Sequence, residues 1–198
     1  MRTRSRSTTR SARPRGARER LSRPGGILLL TGPPGVGKTT VIRAAAEALS
    51  PYRRGGFYTE EIRVRGERRG FALVTFDGRR ARIADVARPG APRVGKYGVD
   101  VEIIEKMSRA ALAVDGTTDL YFVDEVGKME CLSEAFVAGM RTLLDSQVPV
   151  VASVSQRGGG FMEEVRRRRD AELWEIDRST RDELPAKIVG WAQRRLRS

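Results

Sequence analysis

The chain is expected to fold as an α/β protein, a three-layer sandwich with a mostly parallel central sheet and an antiparallel hairpin insertion. Three observations carry that expectation. A short apolar run, Ile27-Leu28-Leu29-Leu30, leads through a glycine-rich stretch into a helix-forming segment, Val41 to Ala46. Strand-like and helix-like segments then alternate, as a parallel sheet covered by helices requires. A second apolar run, Leu120-Tyr121-Phe122-Val123, contains no polar residue, the mark of a strand buried on both faces.

The elements follow in order. A helix runs from about Thr39 to Leu49 and stops at Ser50-Pro51, with Gly55-Gly56 as a further break. Phe57 to Val64, Phe71 to Phe76 and Arg80 to Val86 read as strands joined by Gly66 to Gly70 and by Asp77-Gly78, which makes consecutive hairpins. Residues 87–99, rich in proline and glycine, read as a loop. Asp100 is placed to cap a helix with Val101, Ile104, Met107, Ala111 and Leu112 on one face. Ser133 opens another, with Phe136, Val137, Met140, Leu143 and Leu144 at helical spacing. Val148 to Val154 is a buried strand, and Gly158-Gly159-Gly160 frees the chain before a helix over Phe161 to Arg169. Ala171 to Ile176 alternates as a short strand, and Thr180-x-x-Glu183 reads as a capping box for the last helix.

The glycine-rich stretch carries the chemistry. Gly32-Pro33-Pro34-Gly35-Val36-Gly37-Lys38-Thr39-Thr40 matches the P-loop pattern G-x-x-x-x-G-K-[ST] between a strand and a helix. Its glycines let several backbone N–H groups converge at the positive end of a helix dipole, which suits a phosphate. Lys38 supplies a mobile charge for the β- and γ-phosphates, and the Thr39 hydroxyl is a ligand for Mg²⁺. The second apolar run ends in Asp124-Glu125, a Walker B strand end. Asp124 is placed to hold Mg²⁺, and Glu125 to orient and deprotonate a water attacking the γ-phosphate. Charge on the phosphoryl group in flight calls for an arginine. The run Arg166-Arg167-Arg168-Arg169 follows the flexible glycines, and Arg168 is taken as that catalytic residue.

Composition narrows the alternatives. The chain has 198 residues, room for one domain over residues 25–198. Histidine is absent, which removes imidazole acid–base chemistry and His-ligated zinc. The lone Cys131 excludes an internal disulfide and fits a reducing cytoplasm. No apolar run approaches the length of a membrane span, so no membrane partner is expected. The net charge of +13 is uneven: residues 1–24 hold nine arginines and one glutamate, and so contribute +8. That segment is expected to be a disordered basic arm, having too little apolar surface to fold.

Gly56-Phe57-Tyr58-Thr59-Glu60, Val94 to Asp100 and Val123-Asp124-Glu125-Val126-Gly127-Lys128-Met129-Glu130 resemble the signature segments of the cancer-related nucleoside-triphosphatase family of thermophilic microbes and animals. The resemblance covers about residues 26–190. It implies a RecA-like P-loop fold and slow, Mg²⁺-dependent hydrolysis of ATP, GTP and other triphosphates to the diphosphate. It also implies that Gly32–Thr39 and Leu120–Gly127 are the two nucleotide-site segments. The arm 1–24 stands outside the pattern, as does Thr180, where the family leads one to expect asparagine.

Three readings result. Hydrolysis of nucleoside triphosphates with low base selectivity leads, because Glu125 adjoins Asp124 and no N-K-x-D guanine-reading motif is present. A nucleotide or small-molecule kinase with an unidentified acceptor is second. An ATP-driven switch gripping nucleic acid through residues 1–24 is third. The oligomeric state is left open.

Overall fold

Period-two alternation in the first strand divides the interior into two cores. The structure is a computed structural model that describes residues 26–197. The basic arm expected over residues 1–24 lies outside them. Strand β1 (Ile27–Thr31) turns Ile27 and Leu29 to one face of the sheet and Leu28 and Leu30 to the other. Helices α1 (Lys38–Ala48) and α5 (Leu184–Leu196) cover the second face, where Ile42, Leu49, Ile188 and Trp191 pack on Leu28, Phe122 and Val151. Helices α2 (Val101–Ala111), α3 (Glu134–Leu144) and α4 (Phe161–Arg166) cover the first, with Ile104, Phe136, Met140 and Val165 against Leu29, Phe57 and Val123. Each large side chain fully buried in this way contributes about 2 kcal/mol.

The remaining strands are β2 (Arg54–Val64), β3 (Glu67–Thr75), β4 (Arg80–Asp85), β5 (Arg93–Val94), β6 (Tyr97–Val99), β7 (Leu120–Val126), β8 (Val150–Val154) and β9 (Ala171–Glu175). They form one sheet in the order β5-β6-β4-β3-β2-β7-β8-β1-β9. From β2 to β9 every pairing is parallel. From β2 to β5 every pairing is antiparallel. The predicted three-layer sandwich is present, but the hairpins make up a larger share of it than expected. They extend the central sheet, because β2 pairs with β7 on one side and β3 on the other.

Three local expectations are corrected. Residues 87–99 contain two short strands, β5 and β6, whose pairing is set by the sheet edge despite the surrounding glycines. Helix α4 stops at Arg166, three residues early. The capping box at Thr180 does not form: Asp177 takes up the Thr180 hydroxyl at 3.0 Å, and α5 starts after Glu183 with no side-chain cap. The other two caps do form, with Asp100 accepting from the Ile103 amide and Ser133 from the Phe136 amide.

Strand β8 lies between β1 and β7. The P-loop after β1 and the acidic end of β7 therefore sit one strand apart at the same carboxyl edge, the RecA-like arrangement. The crevice beyond that edge is where open α/β sheets bind ligands.

Candidate active site

The site grows from two strand ends. Strand β1 delivers the chain to the 32–37 loop, and Val36, only 7% exposed, pins the loop into the core beneath α1. Gly37 then enters α1 with φ 112°, a conformation glycine holds without strain. The Lys38 ammonium donates to the carbonyls of Gly32 (3.1 Å) and Pro33 (3.4 Å), so its charge is held across the mouth of the loop. Strand β7, parallel to β1 with β8 between them, delivers Asp124 to the same edge. The Thr39 hydroxyl donates to Asp124 Oδ2, and the Ser153 hydroxyl from β8 donates to Oδ1. P-loop and Walker B strand thus meet directly, and the neighbouring strand supplies a third polar group.

Burial sets the electrostatics. Asp124 is 1% exposed, and that burial raises its pKa against the pull of the Ser153 and Thr39 hydroxyls and of Lys38. Burial also raises the pKa of Glu125, and the Asp124 charge adds to it while Lys38 opposes it. A third carboxyl, Glu130, lies in a short 3-10 turn (Glu130–Leu132) beneath the site. Burial first, then the Glu125 charge, pushes Glu130 up to about 8. Gly127 is wedged between the two glutamates: a Cβ there would lie 2.8 Å from an oxygen of each.

The donor set fits Mg²⁺. Asp124 is a buried carboxylate partnered by hydroxyls, with no ion pair among the described residues, and Thr39 adds an oxygen beside it. Among the described residues no cluster of three or more acidic, histidine or cysteine side chains could hold a metal unaided. Mg²⁺ does not need one, since it takes one or two protein oxygens and completes its shell with phosphate and water.

These groups open into a cleft of about 880 Å³. Gly32, Pro33, Pro34, Gly35, Gly37, Lys38, Thr39, Thr40, Asp124 and Glu125 all line it. The other residues assigned to the nucleotide segments do not. Val36 is an anchor in the core, and Leu120, Tyr121, Phe122, Val123 and Val126 are buried in the sheet, where they carry Asp124 and Glu125 to the edge. Gly127 is buried and does not line the cleft; its neighbours are the two glutamates.

Arg168 is placed elsewhere. Its guanidinium binds Asp170 (2.7 Å), Asp145 (3.0 Å) and the Leu144 carbonyl, pairs that hold it against α3 and away from the cleft. Sequence reasoning also missed residues that do line the cleft: Gln156 and Arg157 after β8, and Glu60, Glu61 and Arg68 on the β2–β3 wall. One signal was available for Ser153, a polar residue within the otherwise apolar strand β8.

A P-loop paired across one intervening strand with a buried aspartate defines a P-loop protein of the RecA-like class. Comparison with known proteins makes the class specific. Residues 27–189 match the family described as NTPase. Nucleoside-triphosphatase THEP1 of Methanosarcina barkeri is 40% identical over 165 residues, covering 82% of this chain and 94% of that protein. The cancer-related nucleoside-triphosphatase homolog of Mus musculus is 36% identical, covering 84% of this chain and 96% of that protein. The crystal structure of THEP1 from Aquifex aeolicus superposes with a TM-score of 0.76 at 32% identity, covering 84% of this chain and 99% of that one. The chain belongs to this NTPase family.

Proposed function

We propose that the protein hydrolyses nucleoside 5′-triphosphates, ATP and GTP with CTP and UTP, to the diphosphate and phosphate in a Mg²⁺-dependent reaction of low base selectivity and slow intrinsic turnover. The observation that carries the reading is the Thr39–Asp124 hydrogen bond inside a cleft that also holds Lys38 and Glu125. The P-loop amides and Lys38 grip the β- and γ-phosphates. Thr39 and Asp124 would hold Mg²⁺, which when bound neutralises charge on the phosphate oxygens. Glu125, its basicity increased by burial and by Asp124, orients a water and accepts its proton as the oxygen bonds the γ-phosphorus. The β,γ-bridging bond breaks and its electron pair leaves on the diphosphate. Low selectivity follows from the missing N-K-x-D motif, and a cytoplasmic setting suits a chain with a single cysteine.

Glu125→Gln tests the assignment. It should bind Mg·ATP as the wild type does and lose on the order of a hundredfold or more in kcat. Lys38→Ala should instead weaken nucleotide binding itself. Unchanged phosphate release by the Glu125 variant removes its role as base. Labelled phosphate appearing on an added nucleoside or nucleotide, rather than free in solution, would move the reading to a kinase.

A further inference from the structure

Two glutamates on the cleft wall each share their charge between two arginines. Glu60 lies 3.8 Å from Arg43 and 3.3 Å from Arg80. Glu61 lies 2.6 Å from Arg63 and 2.6 Å from Arg68. Outside these clusters the charged groups lining the cleft are Asp124, Glu125, the Lys38 ammonium and Arg157. Arg157 lines the cleft, is exposed, and has no ion pair or hydrogen bond among the described residues. A metal-bound triphosphate keeps a net negative charge, and Lys38 and Arg157 are the cleft-lining cations with no carboxylate ion pair among the described residues to compete for them.

The loop after β8 holds the backbone around Arg157 and leaves its side chain free. Arg166, projecting back from α4, donates to the Ser155 carbonyl at 2.6 Å and to the Gly158 carbonyl, one on each side of Arg157. Gly158 (φ 115°) and Gly160 (φ 61°) turn the chain into α4, with Met162 against Gly158. The Lys128 side chain comes within 3.9 Å of where a Gly158 Cβ would be, and it does not line the cleft.

We propose that Arg157 is the arginine that meets the γ-phosphoryl oxygens as the β,γ-bridge breaks, and that Arg166 is the positioning residue that staples its loop. A guanidinium offers fixed, forked donors to the charge that spreads over those oxygens, and it keeps its proton throughout. The proton of the attacking water still passes to Glu125. This inference rests on the hydrolase reading.

Steady-state hydrolysis of Mg·ATP, with nucleotide affinity measured separately by calorimetry, tests it on Arg157→Ala, Arg157→Lys, Arg166→Ala, Arg168→Ala and Lys128→Ala. Arg157→Ala should lose on the order of a hundredfold or more in kcat at nearly unchanged affinity. Arg157→Lys should recover part of that loss, and added guanidinium ion should restore part of the Arg157→Ala rate, which a merely structural defect would not allow. Arg166→Ala should show a smaller loss in kcat with KM preserved, and Arg168→Ala should match the wild type. An Arg157→Ala enzyme with wild-type kcat, one altered only in affinity, or a loss found in Lys128→Ala or Arg168→Ala instead overturns the assignment. Failure of the parent reading looks different: the wild type would bind Mg·ATP and release no phosphate.

Discussion

Glu130 is a carboxyl group sealed beneath the cleft, 4% exposed, with no arginine or lysine paired to it among the described residues. Its pKa of about 8 makes it neutral in the fold at pH 7, whereas in the unfolded chain it ionises in the ordinary carboxyl range. Between those two values the folded state binds the additional proton, so stability falls as pH rises. The full contribution is present below the unfolded pKa and is lost as pH climbs through about 8. Glu130→Gln removes the ionisation. Urea melts from pH 5 to 8.5 should therefore show the wild type losing a few kcal/mol more than the variant. Parallel curves would mean that Glu130 ionises normally. The adjacent Cys131 thiol is raised to about 12, by burial first and then by Glu130 and Glu125, which leaves little reactive thiolate.

At the scale of elements, caps and strand ends do the positioning. The Ser133 hydroxyl, fully buried, accepts from the Phe136 amide and starts α3 just after the turn that holds Glu130. Ser133→Ala should cost about 1–2 kcal/mol, because the orphaned amide has no water to replace the cap. Thermal melts should show the midpoint drop by several degrees, and an unchanged midpoint would mean the helix start is held by packing alone. Elements with strong local signals were legible in the sequence: the P-loop with α1, the unbroken run of β7, and the Asp100 and Ser133 caps. Those decided by distant partners were not. Strands β5 and β6 are two and three residues long and gain their pairing only from β4 and each other. Thr180 has the spacing of a cap, yet Asp177 lies within reach of its hydroxyl and holds it. Within the site, Lys38, Thr39, Asp124 and Glu125 could be read from motif spacing. The arginine could not: four consecutive arginines drew attention to 168, while Asp145 and Asp170 had already bound it.

Across the whole molecule, charge and chemistry are separated. The family match spans residues 27–189, and every group lining the cleft lies within it. Most of the net charge belongs to residues 1–24. A protein beginning at residue 25 should therefore hydrolyse Mg·ATP at the full-length rate, while any salt-sensitive RNA or DNA binding by the intact chain should vanish. A large fall in kcat on truncation would tie the basic segment to the reaction. Among the described residues no helix is long and apolar enough to cross a membrane. Strand β2 is locked to β7 from Arg54↔Leu120 to Tyr58↔Asp124, and it continues into the wall that carries Glu60 and Glu61. Wall and floor are thus one continuous hydrogen-bonded fabric that cannot part like two jaws.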